Sequence, residues 1–388
     1  MILNLKLVIY LSSNMKNFLI LFLLSGFILS CSSDKKSPEE NLIYNPEYGI
    51  WQERENPPVE FELVQTFGSE DATSKELIGG ITAMFTDNNQ NLYVLDDRLS
   101  KLISFDKNGK VRWVTGSQGR GPGDFENAWN MVWDGNNTIY ISNNARSRID
   151  LFNLDGQFLN TLSTNNEKLE GVNIHGFIKD NLVVSRNITG SFAKEFMFVN
   201  TDNPNSILSS FIVNLTGELK IPQGISWFSN VSILEDQLVV AGMSEYSYSF
   251  YNIDSTKTKK LNRDFDKIMR AGFFQNDNGS AIGSMGGLNP ILKAGSQYYI
   301  ATAAWPTNID DPDQYMKDMN SGKNIRAEFR NTTDIYDQDF QLLYSIESDE
   351  FINQELGLIS HSDSEGFIYS INFSPYPHVK KIKLSKAE

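Results

Sequence analysis

Four asparagines stand at matched places in the chain. Asn130, Asn173, Asn230 and Asn289 each fall near the start of a short β-rich run. Amide oxygens gathered around one axis are the kind of donor that holds Ca²⁺. A carboxylate is expected in such a set, and no Asp or Glu stands at this level of the sequence. Asn also serves local hydrogen bonding where loops meet strands, so both roles stay open. Arginine forms a second set. Arg98, Arg146 and Arg186 each lie just after a second run, and Arg120 lies in the link between the first two repeats. Like-signed guanidinium groups at matched positions make an anion-binding patch, unless Asp96, Asp97 or Asp150 pair with them. Trp305, with Trp227 and Tyr246, offers stacking surface for a sugar or peptide, although aromatics between sheets more often belong to the core. The three histidines, His175, His361 and His378, have no metal-ligand partner three or four positions on. His175 and His361 fall on first runs and are expected to line an axial channel. No Walker loop, HExxH or GxSxG is present, so no catalytic residue is assigned.

These residues are positioned by a repeat. Met84 to Val114 and Met131 to Thr161 align without a gap at an offset of 47 residues, placing Asp87 on Asp134, Tyr93 on Tyr140, Phe105 on Phe152 and Gly109 on Gly156. Each copy carries β-rich runs of four to six residues separated by Asn-, Asp- and Gly-containing turns. The second-run position recurs at Val183, Val239, Tyr299 and Tyr369. Six copies of four short strands predict an all-β fold, a six-bladed β-propeller of four-stranded antiparallel blades. The last copy, Leu358 to Leu384, is one strand short. Phe61 to Phe67 is a strand without a neighbour, and it is expected to supply the missing strand and close the ring.

Connection lengths are unequal. Turns between first and second strands, and between third and fourth, are short. The long pieces are Gly116 to Gly123, Arg263 to Gly287 and Trp305 to Asn331, and all are expected on the opposite face. Long loops on one side of a rigid scaffold usually carry binding. The Trp305 insert, with a helix expected inside Asp313 to Phe329, reads as a lid.

The chain has 388 residues, 40% of them hydrophobic, and a formal charge of −14. That balance excludes nucleic acid as a partner. Lys16 precedes a 12-residue apolar run, Phe18 to Leu29, of signal-peptide length and too short to span a bilayer. Ile28-Leu29-Ser30-Cys31 resembles the bacterial lipoprotein box, which implies cleavage before Cys31, the only cysteine, and lipid on it. Removing residues 1–30 takes two lysines and no acid, so the charge becomes −16. Met15 is an alternative start to Met1. The expected organisation is a signal peptide over 1–30, a flexible tether over 31–58 and the propeller over 59–388.

IYISNNARSRIDLFNLDGQFL, with Arg148-Ile149 before Phe152 and Asp155-Gly156 in the turn, resembles an NHL-type propeller repeat. Gly119 to Phe125, GRGPGDF, is similar to the links of such repeats. With the lipoprotein signal, the whole resembles six-bladed propeller lipoproteins of Bacteroidota type. This implies a fold and an address: lipid anchorage to the outer membrane, on its periplasmic or surface side. The expected function is a binding or scaffold lipoprotein for a protein, peptide or glycan, acting as a monomer or a subunit of an envelope complex, with no cofactor. The alternative is a Ca²⁺-dependent hydrolase, since six-bladed lactonases resemble the asparagine arrangement.

Overall fold

The computed structural model describes residues 41–54, 58–73, 76–143, 148–162, 169, 171–191, 193–203, 206–215, 230–276, 279–283, 285–349, 352–353 and 355–387, with the backbone alone at 275–276 and 279–282. Two strands precede the repeats, β1 (Asn41–Asn45) and β2 (Val59–Phe67). Blade one is β3 (Ala83–Thr86), β4 (Leu92–Asp96), β5 (Lys101–Phe105) and β6 (Val111–Thr115). Blade two is β7 (Asn130–Trp133), β8 (Thr138–Asn143), β9 (Arg148–Asn153) and β10 (Phe158–Leu162). Blade three is β11 (Asn173–Ile178), β12 (Asn181–Asn187), β13 (Ala193–Asn200) and β14 (Ile207–Asn214). Blade four is β15 (Val231–Leu234), β16 (Gln237–Ala241), β17 (Ser247–Tyr251) and β18 (Lys257–Arg263). A hairpin follows, β19 (Gly272–Asn276) with β20 (Gly279–Gly283). Blade five opens on two short pieces, β21 (Gly287–Leu288) and β22 (Leu292–Ala294), and continues through β23 (Tyr298–Pro306), helix α1 (Pro312–Asn320), β24 (Phe329–Tyr336) and β25 (Leu342–Ser348). Blade six is β26 (Leu358–Ser362), β27 (Ile368–Asn372) and β28 (His378–Lys386).

The turns explain the repeat. Asp87 Oδ1 accepts from the backbone N–H of Asn89 and Asn91, and Asp363 Oδ1 accepts in the same way from Glu365 and Phe367. In both turns the other carboxylate oxygen takes the hydroxyl of the second-strand tyrosine, Tyr93 or Tyr369. An Asp that satisfies its own turn leaves the strands free to pair, which is why Asp recurs at this place. Gly109 and Gly156 have φ of 83° and 80°, a region that favours glycine and explains why the next turn repeats too.

Six buried apolar clusters hold the ring, one between each pair of neighbouring blades. Between blades one and two, Phe85 stacks on Tyr93 at 4.5 Å, and Phe125 packs against Phe152. Between blades six and one, Phe67, Tyr369 and Val379 meet Leu92, Ile103 and Phe105. That last cluster closes the circle. β2 pairs antiparallel with β28, as expected from the missing strand, and completes the sixth sheet as its outermost strand. The innermost strands β3, β7, β11, β15, β22 and β26 each lie beside the next around the axis. In blade five that strand is broken, and Pro290, which has no N–H to give, lies in the break between β21 and β22.

The expected tether over 31–58 does not describe residues 41–54. β1 adds to the outer edge of blade four, parallel to β18, with Ile43 opposite Leu261. The chain then crosses to blade five. Asn45 donates to the Phe340 carbonyl and accepts from Leu342 N–H, while Gln52 both donates to and accepts from the backbone of Ser345. Gly49 passes so close to β25 that a Cβ there would lie 2.3 Å from the Leu343 carbonyl oxygen. Free backbone groups on an outer strand offer pairing at low entropic cost to a nearby segment, and this stretch takes it up. Residues 1–40, including the expected signal peptide and Cys31, lie outside the described residues. Among the described residues no helix is long and apolar enough to cross a membrane.

Candidate functional site

All four predicted asparagines line one cavity of about 400 Å³ at the end of the central channel. Thr82, Trp129, His175, Lys194 and Ser360 complete its polar wall. A second cavity of about 420 Å³ continues down the axis, shares Thr82, Asn130, His175 and Ser360 with the first, and reaches Thr86 and His361. The long-loop side opens at the asparagine end, because first strands start where the links from preceding blades arrive.

The amides have different tasks. Asn130 Nδ2 donates to the Ile174 carbonyl in blade three at 2.7 Å, and its Oδ1 accepts from Met131 N–H. Asn230 Nδ2 donates to the Leu288 carbonyl in blade five. These two therefore tie neighbouring innermost strands together. Asn289 Nδ2 donates to Thr302 Oγ1 at 2.6 Å within its own blade. Asn173 is 7% exposed and faces the cavity. No Asp or Glu is among the residues lining either cavity, and the described residues hold no cluster of His, Cys, Asp and Glu suited to a metal. The donor set expected for Ca²⁺ is thus incomplete: the amides are in place, two are committed to stapling, and the carboxylate is missing.

Both channel histidines occupy the expected first strands. His175 Nε2 lies 2.7 Å from Ser185 Oγ, and burial with the nearby Lys194 charge pushes its pKa down to about 3. His361 Nε2 lies 2.9 Å from Thr86 Oγ1, and burial lowers its pKa to about 4. Each ring is thereby held neutral near pH 7, with its own hydroxyl partner. His378 is on β28, with Nδ1 2.8 Å from the Tyr376 carbonyl. Lys194 is 1% exposed and was not singled out by sequence: a lysine on a third strand reads as solvent-facing, and only the fold shows its reach to the axis. Trp129, also missed, is 44% exposed at the cavity. Its place directly before Asn130 was the available signal.

Two of the predicted arginines are held by acids. Arg186 is bound to Glu195 at 2.6 Å, and Arg120, 82% exposed, to Glu126 at 2.7 Å. Arg98 is exposed at the turn between β4 and β5. Arg146 and Trp227 lie outside the described residues. Trp305 is 3% exposed and meets Phe265 edge-on at 5.0 Å, so its ring faces core rather than a ligand. Tyr246, 2% exposed, gives its hydroxyl to Asp334 and is likewise interior. The insert after Trp305 holds helix α1, N-capped by Asp311, and the helix rests on the preceding hairpin. Arg270 grips Asp313 through two bonds of 2.7 and 2.8 Å, and Phe273 N–H donates to the same carboxylate. The two longest links are thus clasped to each other. The Gly-rich link is also structural: Phe125 is buried in the core, and Arg148 donates to the carbonyls of Arg120 and Asp124.

A family model described as "6-bladed beta-propeller", DUF5128, matches residues 71–279. No curated protein sequence matches the chain. Among solved structures, a putative exported protein from Bacteroides fragilis aligns over 89% of this chain and 100% of its own, at 10% identity and a TM-score of 0.56. A member of the duf4221 family from Bacteroides vulgatus covers 85% of this chain and 99% of its own, at 11% identity and a TM-score of 0.48. Virginiamycin B lyase from Staphylococcus aureus covers 84% of this chain and 99% of its own, at 8% identity and a TM-score of 0.42. Of these three, only the first bears on the fold, and on nothing beyond it.

Proposed function

Because this chain belongs to the six-bladed β-propeller family DUF5128, we propose that it is a cell-envelope binding protein, lipid-anchored through Cys31 to the outer membrane, that takes a glycan into the long-loop mouth of its central channel. The observation that carries this reading is the wall of the 400 Å³ cavity: amides, hydroxyls and one exposed indole converge there, with no carboxylate. Sugar hydroxyls both donate and accept, which matches carboxamides, Thr82 and Ser360. A pyranose face stacks on an indole, and Trp129 offers one at the opening. A catalytic reading has less to stand on. The channel histidines are bonded to separate hydroxyls, Ser185 and Thr86, and among the described residues no Asp or Glu lines either cavity to orient a ring or act beside it.

Calorimetric titration with a panel of neutral and acidic oligosaccharides, set beside short peptides, tests the reading. Saturable glycan binding weakened at least about tenfold, some 1.4 kcal/mol, by both Trp129→Ala and Asn173→Ala is the expected result. Binding of peptides alone, or glycan binding untouched by either substitution, would move the site elsewhere.

A further inference from the structure

The stretch that docks onto blades four and five carries an outward face of its own. Along β1, Ile43 and Asn45 turn inward, one packed against the core cluster of blades four and five and the other 1% exposed. Leu42 and Tyr44 turn outward, 57% and 59% exposed. Beyond the strand, Tyr48 and Ile50 are 52% and 70% exposed. Four large apolar side chains therefore stand in solvent within nine residues. The segment bearing them is held firmly by Asn45, Gly49 and Gln52. Firm attachment argues against a loose end that exposes apolar groups by accident. Scattered single apolar residues need no explanation, but a pinned run of them marks a contact surface.

We infer that this outer edge of blades four and five is the surface that lies against the lipid bilayer. The inference rests on the lipid-anchor reading for its occupant: β1 begins ten positions after Cys31, so this is the part of the folded chain nearest the expected lipid in sequence. The residue types suit the interface. Tyrosine and aliphatic side chains settle at the headgroup boundary, where an aromatic ring is half in hydrocarbon and its hydroxyl stays wet. The surrounding charge is mixed, with Glu47 beside Lys267 and Lys260 beside Glu245. A strongly acidic protein with such a patch is held by apolar contact rather than by attraction to anionic lipid. The geometry has a consequence for the binding site. Outermost strands lie away from the propeller axis, so a bilayer against β1 and β25 leaves that axis running along the membrane. The long-loop mouth then opens sideways to the surrounding medium instead of against lipid.

The test uses the lipid-anchored chain in phosphatidylethanolamine vesicles. With Cys31 blocked by its lipid, one introduced thiol is the only reactive one. A polarity-sensitive dye is placed through Tyr44→Cys, Ile50→Cys or, on blade two, Leu159→Cys, a site that is 49% exposed on β10. Blue-shifted emission and several-fold protection from aqueous iodide at 44 and 50, with neither at 159, is the expected result. Equal quenching at all three sites in a chain whose Cys31 lipid is verified by mass would overturn the inference. Protection at 44 and 50 in native membranes but not in pure lipid would assign the patch to a protein partner and also overturn it. A mass without lipid defeats the anchor reading alone. The unlipidated chain, with Cys31→Ser, is then mixed with the same vesicles: protection at 44 and 50 keeps the inference, and its absence ends it.

Discussion

The interface between blades four and five holds a charge pair cut off from water, and its removal should be costly. Arg263 and Asp334 meet at 2.7 Å with both side chains 0% exposed. Asp334 also accepts from Tyr246 and from Thr332 Oγ1, so its carboxylate keeps two hydroxyl donors if the arginine goes. Arg263 keeps only neutral partners, the Glu47 carbonyl and the rings of Tyr246 and Phe265, and among the described residues no second anion. Breaking one side of a buried pair typically costs ~3–5 kcal/mol, because the partner charge is left without compensation. Asp334→Leu should fall at the upper end and Arg263→Met at the lower. For a folded unit of about 350 residues the unfolding entropy is roughly 0.7 kcal/mol/K, so the Tm should drop by about 4–7 °C. Replacing both partners removes the stranded charge, and the double variant should recover at least about half of the larger single loss. Scanning calorimetry and denaturant titration of all four proteins complete the cycle. Single losses under about 1 kcal/mol, or a double variant as unstable as the sum of the singles, would refute the reasoning.

Acid should unfold the protein through its channel. Both channel histidines have folded pKa values below the unfolded ~6.5, so their contribution is full above pH 6.5 and is lost as pH falls toward 4 and then 3. The interval from pH 6.5 to 5 limits each ring to at most ~2 kcal/mol of that loss, and His175→Gln should flatten the stability profile across it. Gly49→Ala sets a Cβ against the Leu343 carbonyl and should release the strap, read as rapid proteolysis near residues 46–58 with the propeller intact. Asp313→Asn loosens the clasp on α1. The pair is partly exposed, so global stability should fall by only ~1 kcal/mol or less, while proteolysis of the helix rises. Arg270 holds the Asp313 carboxyl below its usual range, so the clasp persists above pH 4 and weakens below it.

Local patterns carried most of the fold in the sequence. Asp87 and Asp363 organise turns within four residues of themselves, so the copies align without a structure. The unpaired Phe61 to Phe67 could be matched to the last blade by counting strands. β1 could not, because NLIYN pairs with β18 more than 200 residues away and in parallel, which leaves no hairpin signal between them. At the site, first-strand positions brought the four asparagines and His175 to one wall. Facing was harder to read. Trp305 and Tyr246 lie on blade interfaces, where the pleat alone does not say which neighbour covers a ring. Lys194 was hidden for the converse reason: its charge suggested solvent, and the cavity it enters is made by strands from several blades.

The cations of the third and fourth strands show how the repeat divides scaffold from site. Lys101 and Arg148 fall 47 positions apart and open β5 and β9. Lys101 Nζ donates to the Leu77 carbonyl, and Arg148 donates to the carbonyls of Arg120 and Asp124. Each therefore catches the link that arrives before its own blade. Asp96 and Asn143, also 47 apart, add to the same joints: Asp96 accepts from Gly79 and Gly80 N–H, and Asn143 accepts from Glu126 N–H. Arg263 does comparable work for the strap by holding Glu47. The cations that recur at this place are thus occupied in joining blades, and the arginine that most resembles the NHL pattern is one of them. Recognition chemistry has to come from side chains that the repeat does not require. Trp129 and Lys194 meet that condition on one wall of one cavity, beside the repeat-borne Asn173, so substitutions there should alter binding while the ring of blades stays closed.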